Sequence, residues 1–278
     1  MTLDDRVVEH ARAWGVALGE SFETATSIVA YGQRGGDPVV LKVLKHPGDE
    51  WHCGEVLRAF GGHGMVRVLE SLGGAVLLER LVPGNSLVDM ALDGRDDEAT
   101  RILARVIAAT SRAKASGAFV TVQELGRAFG RYERAAGGDG PIRNPLLARA
   151  GEIYARLVES QKHPRLLHGD LQHSNVLFDA RRGWLSIDPK GVVGEVEYEI
   201  AAALRNPRER PALFASRATI ERRVDTFTSA LNVDRDRVIG WAFTQSVLSA
   251  IWSVEDGEPV DASNPSLQLA EACYPMIA

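Results

Sequence analysis

The run His168-Gly-Asp-Leu-Gln-His-Ser-Asn175, followed thirteen positions later by Asp188 in Leu185-Ser-Ile-Asp-Pro-Lys190, constrains this chain more than any other segment. Its flanks read as strands: Arg165-Leu-Leu-His168 and Val176-Leu-Phe178, then Trp184-Leu-Ser-Ile187, with turn residues Asp179-Ala-Arg-Arg-Gly183 between the last two. Asp188 then falls at a strand end, facing the loop that carries Asp170. Moving a phosphoryl group from a nucleotide requires a residue that orients the acceptor hydroxyl and oxygen ligands that hold Mg²⁺ against the phosphates. The spacing assigns Asp170 to the first task and Asn175 and Asp188 to the second. His168 reads as a buried residue that fixes backbone geometry rather than moving protons. Gln172 and His173 either line the site or face solvent.

The separation of Asp170 from Asn175, with Leu171 next to the aspartate, matches the catalytic loop of kinases position by position. The first eighty residues hold what should accompany it. Ala25-Thr-Ser-Ile-Val-Ala-Tyr31 and Val39-Val-Leu-Lys-Val-Leu44 are β-rich runs joined by Arg34-Gly-Gly-Asp-Pro38, a hairpin pattern. Lys42 inside an apolar strand demands an anionic partner, and in kinases such a lysine binds the α- and β-phosphates and pairs with a helix glutamate. Glu55, in the helical stretch from Asp49 to Phe60, is the expected partner. A second hairpin, Met65 to Leu69 with Ala75 to Glu79, leads into Arg80-Leu-Val-Pro-Gly-Asn85. That segment reads as a hinge between two lobes, with residues 79–82, Glu79 and Leu81 among them, as candidates to hold the adenine edge.

Taken together, these motifs resemble the aminoglycoside phosphotransferase family, the small-molecule branch of the protein-kinase-like fold, over most of the chain. The likeness is greatest at His168 to Asn175, Gly183-Trp-Leu-Ser-Ile-Asp-Pro-Lys-Gly191, Val193-Gly-Glu195 and Leu204-Arg-Asn-Pro207, which resemble the streptomycin 6-phosphotransferase and aminoglycoside–hydroxyurea resistance kinase subgroup. It implies an α+β two-lobe fold: residues 1–83 as a small antiparallel lobe with one helix that binds nucleotide, and residues 84–278 as a larger, mainly helical lobe that carries catalysis and the acceptor. It also implies ATP and Mg²⁺ as cofactors. The chain departs from protein kinases in having Pro189-Lys190 after Asp188 instead of Phe-Gly, no G-x-G-x-x-G run before Lys42 and no A-P-E segment after Asp188. The phosphate-covering turn should therefore lie near Glu23-Thr-Ala-Thr-Ser27, with Thr26 and Ser27 as its candidates.

Composition agrees with two packed lobes, since 278 residues at 45 % hydrophobic content can bury a core in each. A net charge of −5 disfavours nucleic acid as a partner and suits a cationic small-molecule acceptor. The acidic start Met1-Thr-Leu-Asp-Asp5, with no apolar run after it, points away from a signal peptide or membrane and toward the cytoplasm. Cys53 and Cys273 lack metal-ligand spacing and read as reduced structural thiols. Residues 96–109 and about 145–161 carry helical periodicity, and Ala136-Gly-Gly-Asp-Gly-Pro141 reads as a linker.

Acceptor choice should reside beyond the catalytic loop, where Glu195, Glu197 and Glu199 cluster and Glu255-Asp-Gly-Glu258 lies beside Trp252. Glu195, Glu199, Glu255 and Asp256 are candidate guanidinium ligands and Trp252 a cation–π surface. Glu199 has a second possible use, supporting the catalytic loop from a helix. Lys190 either assists at the site mouth or faces solvent. A metabolic kinase for a sugar, amino sugar or amino alcohol would keep the same catalytic residues, and a non-catalytic pseudokinase would be expected to have lost some of them. Oligomeric state is not legible.

Overall fold

The computed structural model describes residues 2–113, 119–137 and 140–277. Helix α1 (Leu3–Ala13) opens on a capping box, in which the Thr2 hydroxyl accepts the Asp5 N–H and the Asp5 carboxylate accepts the Thr2 N–H. Five antiparallel strands follow, β1 (Ala17–Glu23), β2 (Ser27–Arg34), β3 (Asp37–Leu44), β4 (Val68–Leu72) and β5 (Ala75–Glu79), in the order β1-β2-β3-β5-β4. The β2–β3 hairpin closes between Arg34 and Asp37, and its two turn residues, Gly35 and Gly36, have φ of 60° and 93°. Positive φ at both central positions is what a tight hairpin turn needs, and glycine adopts it without steric cost.

The side-chain period of two divides β3 between two cores. Val39, Leu41 and Val43 are buried against Val7 and Ala11 of α1. Val40 and Leu44 face the opposite way, onto Val56, Leu57 and Phe60, together with Leu166 and Leu185 from the second half of the chain. Lys42 stands between Val40 and Leu44 on that second face, so strand periodicity aims its ammonium at Glu50 and Asp188. The helix expected over residues 49–60 is split into a 3₁₀ turn (Asp49–His52) and α2 (Cys53–Ala59). Gly54 lets α2 approach β4, because a Cβ there would lie 2.0 Å from the Ser71 hydroxyl oxygen.

From Pro83 the chain is mainly helical. Strand β6 (Pro83–Ser86) precedes α3 (Leu87–Leu92) and α4 (Asp96–Thr110), then come β7 (Val120–Thr121), α5 (Val122–Leu125), α6 (Arg127–Ala136) and α7 (Asn144–Glu159). The linker expected at 136–141 runs between α6 and α7, although its residues 138 and 139 lie outside the described residues. Strands β8 (Arg165–Leu167), β9 (Val176–Asp179), β10 (Gly183–Ser186) and β11 (Val192–Gly194) form two small sheets with the earlier pieces, β10-β9-β6 and β7-β11-β8. Helices α8 (Val196–Leu204), α9 (Pro211–Phe214), α10 (Arg217–Leu231), α11 (Arg235–Glu255) and α12 (Pro265–Cys273) complete the fold. Helix α11 is buried without interruption from Val238 to Ile251, as befits a helix apolar on every side. Among the described residues no helix is long and apolar enough to cross a membrane. Cys53 and Cys273 are both free and buried.

One internal charge knot fastens these helices. The Arg223 guanidinium from α10 meets Asp96 of α4 at 2.5 Å, reaches the carbonyls of Ala203 (3.2 Å) and Asn206 (2.8 Å), and lies over the Phe214 ring. Arg223 is 1 % exposed, whereas its neighbour Arg222, also on Asp96, is 45 % exposed at the side chain. Removing one partner of a buried pair strands the other. Arg223→Ala is therefore expected to cost about 3–5 kcal/mol and Arg222→Ala less than about 1 kcal/mol, a split that urea unfolding of the two variants will read directly.

Candidate active site

The catalytic loop is held from beneath. His168 is fully buried, with Nε2 2.8 Å from the Ile187 carbonyl and Nδ1 accepting the Asp170 N–H at 3.3 Å. These two bonds assign a neutral ring protonated on Nε2, and burial lowers its pKa. Gly169 has φ of 83°, and a Cβ there would lie 2.6 Å from Val192 Cγ2. The Glu199 carboxylate accepts the N–H groups of His168 (2.5 Å) and Gly169 (3.0 Å) from α8. Burial pushes its pKa up to about 7 against the opposing pull of those N–H bonds. Glu199 is 2 % exposed and therefore cannot serve as an acceptor ligand; it has the loop-supporting role instead.

Asp170 projects from this platform with a quarter of its side chain exposed. Its Oδ2 accepts from Gln172 Nε2 at 3.1 Å and Asn175 Nδ2 at 3.4 Å. Asn175 Nδ2 also donates to the Asp170 carbonyl at 2.9 Å, so both its bonds to Asp170 are made by the amide nitrogen. Gln172 thus lines the site. His173 does not, since its buried ring has no hydrogen-bond partner among the described residues and burial pushes its pKa down to about 3.

Asp188 adopts a left-handed φ of 59°, a strained backbone for a non-glycine residue and one of the kind that gathers at functional sites. Its Oδ1 lies 2.5 Å from Lys42 Nζ. Lys42 also meets Glu50 Oε2 at 3.3 Å, and Lys190 binds the other Glu50 oxygen. Burial opposes charge on Lys42, but Asp188 and then Glu50 outweigh it and raise its pKa. The expected partner Glu55 is not there. It is exposed and pairs with His52 at 3.0 Å, because the 3₁₀ turn brings Glu50 inward while Cys53, Gly54, Val56 and Leu57 take the buried face of α2.

On the nucleotide side, Thr26 is exposed and its hydroxyl lies 3.3 Å from Glu50. Ser27 is 1 % exposed and its hydroxyl is bonded to Thr24 at 2.9 Å, so it shapes the turn and cannot reach a phosphate. The Glu79 carboxylate is taken by the Arg67 N–H (2.8 Å) and the Arg182 guanidinium, which removes it as a ligand. The Glu79, Arg80 and Val82 N–H groups are bonded to Arg67, Pro38 and Asp179, and the Val82 carbonyl to Ala180. The Leu81 backbone has no such partner among the described residues.

The acceptor-side candidates divide. Glu195 is 1 % exposed, and its carboxylate receives Trp241 Nε1 (2.5 Å), Arg237 Nε (2.9 Å) and the Lys162 N–H (3.1 Å). It braces α11 against the loop after α7 and is closed to any substrate. Glu255 is held by Arg131 through two 3.1 Å bonds and borders a cavity of about 400 Å³ with Tyr132, Pro141 and Val254. Trp252 is half-buried and Asp256 exposed beside it. None of the described contacts joins these three to the catalytic loop.

A family model described as aminoglycoside/hydroxyurea antibiotic resistance kinase matches residues 14–257. The chain belongs to that family. The streptomycin 3''-kinase of Klebsiella pneumoniae is 34 % identical over 244 residues, covering 86 % of this chain and 88 % of its own length. The streptomycin 6-kinase of Streptomyces griseus is 33 % identical over 272 residues, covering 95 % and 85 %. A thermostable aminoglycoside phosphotransferase mutant, solved with ADP and hygromycin B, superposes with a TM-score of 0.67 at 17 % identity over 97 % of this chain and 96 % of that one, which shows the kinase-like fold.

Two residues of the kinase site were not anticipated from sequence. Glu50 lay one turn upstream of the glutamate expected in its place. Arg205 is 7 % exposed, bonds Gln245 Oε1 at 2.5 Å and comes within 3.7 Å of Asp170 Oδ1. Its signal was visible as a charge closing the apolar helix Ile200-Ala-Ala-Ala-Leu204, a position that requires a buried partner.

Loss of the Glu50 carboxylate in Glu50→Ala removes charge-assisted bonds of about 1.5–3 kcal/mol, so kcat/KM for ATP should fall at least about tenfold, while Glu55→Ala stays within about twofold; steady-state kinetics in ATP checks both. A carboxyl with a folded-state pKa of about 7 against an ordinary 4.5 is bound to its proton in the native state over a range where the unfolded chain has lost it. Between these values wild-type stability should decline as pH rises, and Glu199→Gln should flatten that decline in urea titrations at pH 4.5 and 7.

Proposed function

We propose that this kinase transfers the γ-phosphoryl group of ATP to the 6-hydroxyl of streptomycin. The observation that carries the reading is the convergence of Asp170, Asn175, Asp188 and Lys42 on one cleft. The acceptor oxygen forms a bond to the γ-phosphorus, the bond from that phosphorus to the bridging oxygen of ADP breaks, and the hydroxyl proton passes to Asp170. Asp170 is held for this by Gln172 and Asn175, which fix the carboxylate before the acceptor arrives. The donors suit Mg²⁺, because the Asp188 carboxylate and the Asn175 amide oxygen, which is not used in the bonds to Asp170, are hard oxygens, and Mg²⁺ takes only one or two protein ligands beside phosphates. Bound there, the ion would neutralise charge on the β- and γ-phosphates. Lys42 faces the same phosphates, and the Leu81 N–H and C=O suit the adenine edge.

The streptomycin assignment is supported by relatives named as kinases of that antibiotic. The 6-position is supported by the Gly183 to Glu195 run, which resembles the 6-phosphotransferase pattern. Of the acceptor residues, Trp252, Glu255 and Asp256 remain the candidates. ADP release by purified protein with Mg-ATP and streptomycin should be abolished in Asp170→Ala, with nucleotide binding and the thermal transition retained. Phosphorus–proton correlation spectra of the product should place the phosphate on the 6-oxygen. Phosphate on the 3''-oxygen would overturn the position, and turnover only with a simple amino sugar would overturn the antibiotic.

A further inference from the structure

Lys190 stands two residues past Asp188, where the chain turns into β11. Its backbone N–H is bonded to the His168 carbonyl at 2.7 Å. Its Cβ lies over Gly169, at 3.3 Å from where a Cβ on that glycine would be. The side chain therefore starts on top of the turn that carries Asp170 and runs to Glu50, where Nζ binds Oε1 while Lys42 holds Oε2 at 3.3 Å. One carboxylate is thus shared by two ammoniums, Lys42 from β3 of the sheet and Lys190 from the segment between Asp188 and β11.

The two lysines are not equivalent. Lys42 is 13 % exposed and also bonded to Asp188, whereas Lys190 is 41 % exposed and bonded to Glu50 alone among the described residues. Phosphoryl transfer spreads negative charge over the three equatorial γ-oxygens, and a cation aimed there accelerates it. Arg205 is the other cation beside Asp170, but it is buried and held by Gln245. Lys190 has the reach, the exposure and the position between Asp170 and the phosphates that this task needs. Resting on the ATP reading above, we propose that Lys190 leaves Glu50 for the γ-phosphoryl group when ATP binds and stabilises that group during transfer. Glu50 then holds the second lysine in place until a triphosphate arrives.

The test separates the γ-phosphate from the rest of the nucleotide. Calorimetric affinities for Mg-ADP and for Mg-AMP-PNP, a non-transferable ATP analogue, would be measured on wild type, Lys190→Met, Lys190→Arg and Lys42→Met. Lys190→Met should weaken AMP-PNP about tenfold, the scale of one charge-assisted bond, and leave ADP within about twofold. Lys190→Arg should recover most of the loss, and Lys42→Met should weaken both nucleotides. Equal weakening of both by Lys190→Met would show that the residue only holds Glu50, and no change in either would make it a solvent lysine; each overturns the proposal. If wild type binds neither nucleotide, the ATP reading itself falls and this role with it.

Discussion

Lys42 and Asp188 are separated by 146 residues and meet at 2.5 Å, and the cleft is organised around that contact. Each group is in a position it could not hold alone. Strand periodicity fixes Lys42 on the inner face of β3, between apolar neighbours, where an unpaired ammonium would lose its hydration without compensation. Asp188 sits on a left-handed backbone at the end of β10, and strain of that kind persists only where its surroundings over-determine it. The pair joins the five-stranded sheet to the loop that follows β10, and Glu50 extends it to Lys190. Two lysines thereby balance two carboxylates, and in the proposed reading the cations that phosphates would meet are already gathered.

The buried polar groups around this loop work differently, because they face inward and are matched largely to backbone atoms. Glu199 receives the His168 and Gly169 N–H groups, the neutral His168 ring bridges Ile187 and Asp170, and Arg223 collects carbonyls from the end of α8 and beyond it. A buried charge such as that of Arg223 adds little net stability over an apolar substitute. What these groups supply is position. A carboxylate that must accept a proton at one oxygen of one acceptor needs its backbone fixed to a fraction of an ångström, and hydrogen bonds specify geometry in a way that dispersion contacts do not.

This division of labour explains what was legible in the sequence. The β2–β3 hairpin was readable because its Gly35-Gly36 turn and alternating strand are local signals. The proximity of Asp170 and Asn175 was readable because they lie five residues apart on one short loop. Helix α1 and strand β1 went unread, and β1 had no pattern to read, since it is exposed along its whole length at the sheet edge. Glu55 was the expected partner and Glu50 takes its place, because which of the two turns inward depends on whether residues 49–52 coil tightly before α2 begins. No capping side chain marks that break. Glu195 was misread for a non-local reason, since the partners that bury it, Arg237 and Trp241, lie 42 and 46 residues further on.

The acceptor side shows why net charge is a poor guide to a cation pocket. Glu195, Glu199 and Asp96 all contribute to the acidic total, yet each is bonded within the fold and presents nothing to a ligand. Glu255 remains, but with Arg131 already on it. An acceptor guanidinium would exchange there for another guanidinium, replacing one charge-assisted pair by a similar one at little net gain. Binding energy from that contact is therefore small even where its geometry is good. In the proposed reading, discrimination among acceptors comes from the shape of the site and from which hydroxyl can reach Asp170, a constraint of position rather than of charge.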